Sequence, residues 1–234
     1  MPHPRCTRRT ATVPFLRLMA CVACFGLLCT SGCKMLGVLY AKAAPPPIIP
    51  AAYAGLTNQT VAIMVWASEG TMIDFPDARL DVAGSLQTKL QQAVDAKTKE
   101  LVGTTFPKPT ASVVRFQQNH PELEAMPPAE VAAKLGTSRV IYVEIENLQT
   151  RSDASVELFR GSASATIKVI EVPTEGAKQG KVAYDEAQIA AVFPPNAREE
   201  GRPDGNDFVY YRGVVDALTT ELAKRFVPYA EEQK

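Results

Sequence analysis

The positions of the cysteines constrain how this chain can fold more than any other feature. All five lie within the first 33 residues, at Cys6, Cys21, Cys24, Cys29 and Cys33. No disulfide can form within residues 34–234, so a fold there must be stabilised by a hydrophobic core. About 200 residues are sufficient for one such core.

The N-terminus is ordered like a secretory signal peptide. Four arginines come first, and residues 18–29 then form an uninterrupted run of apolar and small side chains. A run of about 12 residues is too short to span a bilayer, which needs roughly 20. The order is typical of a signal peptide, and the alternative is a short anchor that is never cleaved. Cys21 and Cys24 have the spacing of a redox or zinc half-site but lie inside this run, which argues against that role.

The apolar run leads into Thr30-Ser31-Gly32-Cys33. This segment resembles the lipobox of bacterial lipoproteins, although Thr30 stands where an aliphatic residue is common. The resemblance implies cleavage between Gly32 and Cys33, so that residues 1–32 are the signal peptide. It also implies that the Cys33 thiol carries a diacylglycerol and that acyl chains such as palmitate anchor the protein to a membrane.

The charge balance excludes some partners. The whole chain has 25 basic and 25 acidic residues. Removal of residues 1–32 takes away four basic residues and no acidic one, which leaves 21 basic against 25 acidic. A net negative chain lacks the basic surface that nucleic acid requires. It is also not attracted to anionic lipid, so membrane attachment is expected to depend on the acyl chains.

Composition divides the rest of the chain into three parts. Residues 33–59 are predicted to be a lipidated N-terminus and a tether, because the proline-rich segment 43–50 favours extended polyproline II geometry. Residues 60–228 are predicted to form a mixed α/β domain, followed by a C-terminal tail at 229–234.

Hydrophobic periodicity predicts the elements of that domain. Strands are expected at 61–66, 111–117, 139–148, 157–172 and 181–193, and helices at 78–100, 129–135 and 207–226. The run 61–66 lacks polar alternation, which suits a buried central strand. Asp77 and Asp207 are expected to cap the first and last helices. The predicted fold class is α/β with α+β character: one domain with a mixed, mostly five-stranded sheet, helices packed on it, and the order β-α-β-α-β-β-β-α.

One helix–strand junction resembles a known family. The predicted helix ends in Leu135-Gly136-Thr137-Ser138, and the strand at 139–148 follows directly. With the later segment 161–172, this junction is similar to envelope lipoproteins of the curli-secretion CsgG family and to the TolB N-terminal domain, over roughly residues 60–226. The resemblance implies the same core fold and an accessory or assembly role in envelope transport or secretion. We find no counterpart of the membrane-spanning hairpins of CsgG-like channel subunits, so pore formation is not implied.

Four carboxylates follow the first predicted strand: Glu69, Asp74, Asp77 and Asp81. The ends of strands in mixed sheets often bind ligands, and carboxylates can coordinate a hard cation. Their spacing does not match a calcium-binding loop, so solvated loop and helix-cap residues are the favoured interpretation. We therefore predict no metal and no cofactor.

His120 is the only histidine after residue 3, and it precedes a proline in a polar stretch. A zinc site or a hydrolytic triad needs further ligands or a nucleophile, so we predict a turn and no catalytic residue. Trp66, Tyr210 and Tyr211 are candidate anchors for a partner surface, with core packing as the favoured alternative for Trp66.

These features predict a lipid-anchored, non-catalytic protein of the bacterial cell envelope. Its partners are expected to be the membrane, through the lipid on Cys33, and other envelope proteins, but not nucleic acid. Lys34 is not the aspartate that retains lipoproteins in the inner membrane of enteric bacteria, which favours the outer membrane, facing the periplasm. A lipid-binding lipoprotein of the LPS-assembly type and an envelope enzyme are the alternatives, and the oligomeric state stays open.

Overall fold

The computed structural model describes residues 46–172 and 179–231. Residues Ile48–Ala230 form one compact unit, and the described residues outside it are 46, 47 and 231. The helices are α1 (Glu69–Asp74), α2 (Ala78–Asp95), α3 (Thr110–Asn119), α4 (Pro128–Lys134) and α5 (Asp207–Ala223). The strands are β1 (Ile48–Ile49), β2 (Val61–Ala67), β3 (Arg139–Ser152), β4 (Ser155–Glu171), β5 (Lys181–Phe193) and β6 (Tyr229–Ala230). Short 3₁₀ helices lie at Lys99–Leu101 and Pro121–Ala125.

The main sheet has the strand order β2-β3-β4-β5. β2 pairs in parallel with β3, and β3, β4 and β5 pair antiparallel. The parallel pair needs a long crossover, which contains α1 to α4, whereas the antiparallel strands form a meander. The predicted fold class is therefore confirmed: a mixed sheet with helices packed on it. The sheet has four strands rather than five, and a separate sheet pairs β1 with β6.

The missing strand is the segment predicted at 111–117, which is a helix, α3. From β2 to α5, the elements therefore follow one another in the order β-α-α-α-α-β-β-β-α. Val113 and Gln117 are buried four residues apart on one helix face, while Ser112, Arg115 and Gln118 are exposed. Buried residues three or four positions apart indicate a helix. Val113 and Val114 are β-branched, however, and β-branched residues favour strands, so the sequence alone predicted a strand here.

β2 lies at an edge of the sheet, not at its centre as predicted. Its seven residues are nevertheless all buried, because neighbouring segments cover the free edge. The Val61 N–H donates to the Thr105 carbonyl at 2.8 Å, and the Gln117 side-chain amide donates to the Val65 carbonyl at 3.0 Å. Covered edges of this kind prevent unwanted strand pairing.

Two apolar clusters lie on opposite faces of the sheet. The larger cluster joins the sheet to α2 and α5, with fully buried side chains such as Val65, Leu86, Leu90, Ile167 and Leu218. The smaller cluster joins β2 and β3 to α3 and α4, and includes Met64, Trp66, Val113, Val131 and Tyr142. Both faces of β2 and of the first half of β3 are therefore covered, which makes this region a three-layer structure.

Part of the predicted tether and tail lies on the folded unit. Ile48 and Ile49 pair with Ala230 and Tyr229, and Leu56 is completely buried. The proline-rich sequence predicted an extended polyproline II spacer, but an extended segment can also pair as a strand. The predicted tether upstream of residue 46 lies outside the described residues.

Gln117 supplies a direct test of the covered edge. Replacing Gln117 by glutamate puts an acceptor in place of the donor and leaves the buried Val65 carbonyl unpaired, so we expect a loss of about 1–3 kcal/mol in unfolding free energy. Urea unfolding measures this change in unfolding free energy. Gln118→Glu is the matched control because that side chain is exposed, and we expect a change within about 0.5 kcal/mol. Equal unfolding curves for the two variants would contradict this assignment.

Candidate functional site

Gly32 and Cys33, the predicted cleavage and lipidation residues, lie outside the described part of the chain. Lipidation of Cys33 therefore stays a prediction. Between residues 46 and 172 and between 179 and 231, no helix is long and apolar enough to cross a membrane.

Exposed apolar side chains occur on α1 and at the start of α5. Ile73, Phe208 and Val209 are 72%, 70% and 53% exposed. The rings of Phe75, just after α1, and Tyr211, on α5, stack at 5.1 Å and 11°, which joins the two helices. We call Phe75 and the α5 residues Phe208, Val209 and Tyr211 the apolar corner. Single exposed apolar residues are common, but a group of large ones at one place marks an interaction surface.

Local capping positions both sides of this corner. The Ser68 side chain accepts a hydrogen bond from the Thr71 N–H and caps α1. The Asn206 side chain accepts from the N–H groups of Phe208 and Val209 and caps α5. The predicted cap, Asp207, is instead the first helical residue. Asn206 has the extended backbone that a cap requires, and either residue type suits that position.

Asp207 fixes the start of α5 to the sheet. Its carboxylate accepts hydrogen bonds from the Arg151 Nε at 2.9 Å and from the Thr150 hydroxyl at 2.8 Å. The Arg151 guanidinium also lies 3.8 Å from the centroid of the Phe159 ring. Hydrogen bonds from Arg151 and Thr150 lower the pKa of Asp207. The carboxylate is therefore ionised at neutral pH. Its hydrogen bonds with Arg151 and Thr150 hold the backbone of the first turn of α5, which carries Phe208 and Val209.

Four carboxylates follow β2 in the sequence. Glu69, Asp74 and Asp77 are exposed, while Asp81 is half-buried and accepts a hydrogen bond from the Tyr211 hydroxyl at 2.7 Å. Burial raises the pKa of Tyr211, and the negative charges of Asp81 and Asp77 raise it further. The described residues contain no group of three His, Cys, Asp or Glu side chains that could hold a metal ion.

An open trough of about 520 Å³ runs along the exposed side of α2. Gly84, Ser85 and Thr88 form its small-residue floor, and charged side chains line it: Asp81, Lys89, Arg212 and Asp216. Lys89 pairs with Asp216 at 2.7 Å. A lining of this polarity differs from the apolar groove between sheet and helix that a lipid carrier would need.

The other residues that the sequence singled out have structural roles. Trp66 and Tyr210 are 8% and 6% exposed and pack in the core, so they are not surface anchors. The His120 Nδ1 lies 2.9 Å from a Glu122 carboxylate oxygen on the surface, and the His120 ring packs beside Phe116. Tyr211 alone of the predicted aromatic anchors belongs to the apolar corner.

Sequence periodicity missed Phe208 and Val209 as surface residues. Phe208, Val209, Tyr210 and Tyr211 are consecutive at the start of the last helix and cannot all face the core. This excess of apolar residues in one helical turn was the sequence signal that some of them must be exposed.

No family model matches this chain, and no curated protein matches it. Among solved structures, PelC from Paraburkholderia phytofirmans, a dodecamer, is similar with a TM-score of 0.40 and 12% identity, over 77% of this chain and 98% of that one. The hypothetical protein CT253 from Chlamydia trachomatis has a TM-score of 0.34 and 16% identity, over 57% of this chain and 71% of that one. Similarities this low carry no argument about function or assembly.

Proposed function

We propose that this protein is a lipid-anchored protein of the bacterial cell envelope that acts by binding, as an accessory or assembly factor in envelope transport or secretion. The leader supports the location: basic residues, a short apolar run and Gly32-Cys33 follow one another in the order of a lipoprotein signal. The lipid on Cys33 holds the protein at the outer membrane, facing the periplasm.

The apolar corner is the observation that carries the binding role. Phe208 and Val209 are 70% and 53% exposed, at a cost in hydration that a folded domain normally avoids. Phe75 and Tyr211 pack against the larger core. Large apolar side chains on a rigid frame are the usual energetic centre of a protein–protein interface.

The lipid-binding alternative has less support. A lipoprotein that carries lipid needs an apolar cavity that can enclose acyl chains. Here the space between the sheet and α2 and α5 is filled by fully buried side chains, including Leu86, Ile167 and Leu218.

Site-specific cross-linking tests the binding role. A photoreactive amino acid at position 208 should cross-link the protein, in intact cells, to another envelope protein. The matched control is position 102, where Val102 is 46% exposed on the loop before α3, near the start of β2. We expect a product of higher mass from position 208 and not from position 102. The proposal is overturned if position 208 gives no product, or the same products as position 102.

A further inference from the structure

We propose that a hollow lined by residues of α1, α2 and α3 binds a carboxylate that carries a short aliphatic chain. The hollow has a volume of about 190 Å³, and its lining residues differ from those of the apolar corner. The carboxylate belongs to a free acid or to the C-terminal residue of a protein, two sources that the experiments separate. The site goes beyond the binding role proposed for the apolar corner and does not depend on it.

Arg79, one of the lining residues, is held at the end of β2. Its Nη2 donates to the carbonyl of Ala67, the last residue of β2, at 3.3 Å. Its guanidinium lies 5.0 Å from the centroid of the Trp66 ring. Its Nε is buried and has no hydrogen-bond partner among the described residues. A guanidinium has five N–H donors, so the bond to Ala67 leaves others for a ligand.

A second cation, Arg115 of α3, lines the same hollow and is exposed. Within the described residues, neither Arg115 nor Arg79 forms an ion pair. Asp77 is the one carboxylate in the lining, and it also forms no ion pair there. Two cations against one carboxylate leave a net positive lining. Arginine binds carboxylates through paired N–H groups, so this lining favours a ligand with one negative charge.

The rest of the lining is largely apolar and limits the size of the ligand. Its apolar residues are Met72, Pro76, Leu80, Ala111 and Val114. A water molecule occupies about 30 Å³ in the liquid, so the hollow has room for about six or seven non-hydrogen atoms. A carboxylate with a chain of a few carbons has this size, whereas the acyl chains of a lipid are much longer.

The position of the hollow in the fold also suits an anion. Arg79 is bonded to the carboxyl end of β2, which pairs in parallel with β3. Ligands of open α/β sheets bind outside the carboxyl ends of parallel strands. Arg79 and Leu80 belong to the first turn of α2, where the helix dipole favours negative charge.

NMR of arginine side chains tests the site. The sample is the full chain with isotope-labelled arginine, held in neutral detergent, and the probe is isovalerate. Isovalerate should shift the Nε–H resonance of Arg79, which is identified by its loss in Arg79→Lys. The Nε of Arg160 on β4 is the internal control, because it is also buried without a described partner but does not line the hollow. Isovaleramide, which lacks the charge, should shift neither resonance. An unshifted Arg79 resonance, equal shifts of both resonances, or an equal effect of the amide would overturn the proposal.

Two charge variants locate the ligand. Asp77→Asn should strengthen isovalerate binding about fivefold, because it removes a like charge from the lining. A gain of this kind cannot result from misfolding. Arg115→Gln should weaken binding about fivefold, because it removes an attractive charge. The matched controls are Asp95→Asn, at the other end of α2, and Arg198→Gln, on the loop before α5. Both side chains are exposed, and both controls should bind as the unaltered chain does. If Asp77→Asn and Arg115→Gln also bind unchanged, the ligand lies elsewhere and the proposal fails.

Peptide probes separate the two sources of the carboxylate. A short glycine–serine peptide that ends in valine is compared with the same peptide ending in an amide. Tighter binding of the free-ended peptide than of isovalerate assigns the site to a protein C-terminus, and the reverse order assigns it to a free acid. Both results support the carboxylate site, whereas equal binding of the amide-ended peptide overturns it. The cross-link from position 208 is a separate measurement, so failure of either proposal leaves the other standing.

Discussion

Replacement of Leu218 by alanine should lower the melting temperature of this protein by about 4–20 °C. Leu218 is completely buried on α5, within the cluster that joins α5 to the sheet. Truncation of a buried leucine removes its apolar contacts and leaves a cavity, which costs about 2–5 kcal/mol. This is a large share of the roughly 5–15 kcal/mol that stabilises a domain. Thermal unfolding followed by circular dichroism measures the change.

Leu80→Ala is the matched control. The same atoms are removed, but Leu80 is 37% exposed on α2, so we expect a loss of about 1 kcal/mol or less. Thr219, adjacent to Leu218, is unsuitable as a control despite its polarity. It is completely buried, and its hydroxyl oxygen lies 2.9 Å from that of Ser85 on α2. If Leu218→Ala and Leu80→Ala melt at the same temperature, α5 does not cover the sheet as described.

Cys33→Ser should remove the protein from the membrane fraction. Each buried methylene of an acyl chain contributes about 0.8 kcal/mol, and two chains suffice for stable anchoring. The net negative charge of the rest of the chain gives no compensating attraction to anionic lipid. The variant should appear as soluble protein or as unprocessed precursor. Fractionation after a high-salt wash, with mass spectrometry of the N-terminus, measures both.

Cys29→Ser is the control for this experiment. It makes the same chemical change four residues upstream, within the part that cleavage before Cys33 would remove. We expect normal processing and normal membrane association. A Cys33→Ser protein that has lost residues 1–32 and still sediments with membranes would show that something other than the lipid holds it there.

The sequence predicted the meander and two of the four crossover helices, α2 and α4, but not α1 or α3. The strands expected at 139–148, 157–172 and 181–193 are β3, β4 and β5, because one covered face imposes a clear alternation along much of their length. The missed helix α3 is short, and only Val113 and Gln117 on it are buried. A short apolar run with β-branched residues is compatible with either structure until its neighbours are known.

The same limit applies to the apolar corner. It combines Phe75 with Tyr211, more than a hundred positions apart in the sequence. No periodicity relates such distant residues, so only the packing of the two rings brings them together.

Residue order alone determined the properties that depend on local chemistry. The sequence alone shows three such properties: the cysteines confined to residues 1–33, the net negative charge of the remainder and the alternation in β3 to β5. Tertiary structure decided the properties that depend on long-range contacts. It set the edge position of β2, the burial of Thr219 and the exposure of Phe208. The physical reason is that local propensity acts over a few residues, whereas burial is decided by whichever distant segment packs against a side chain.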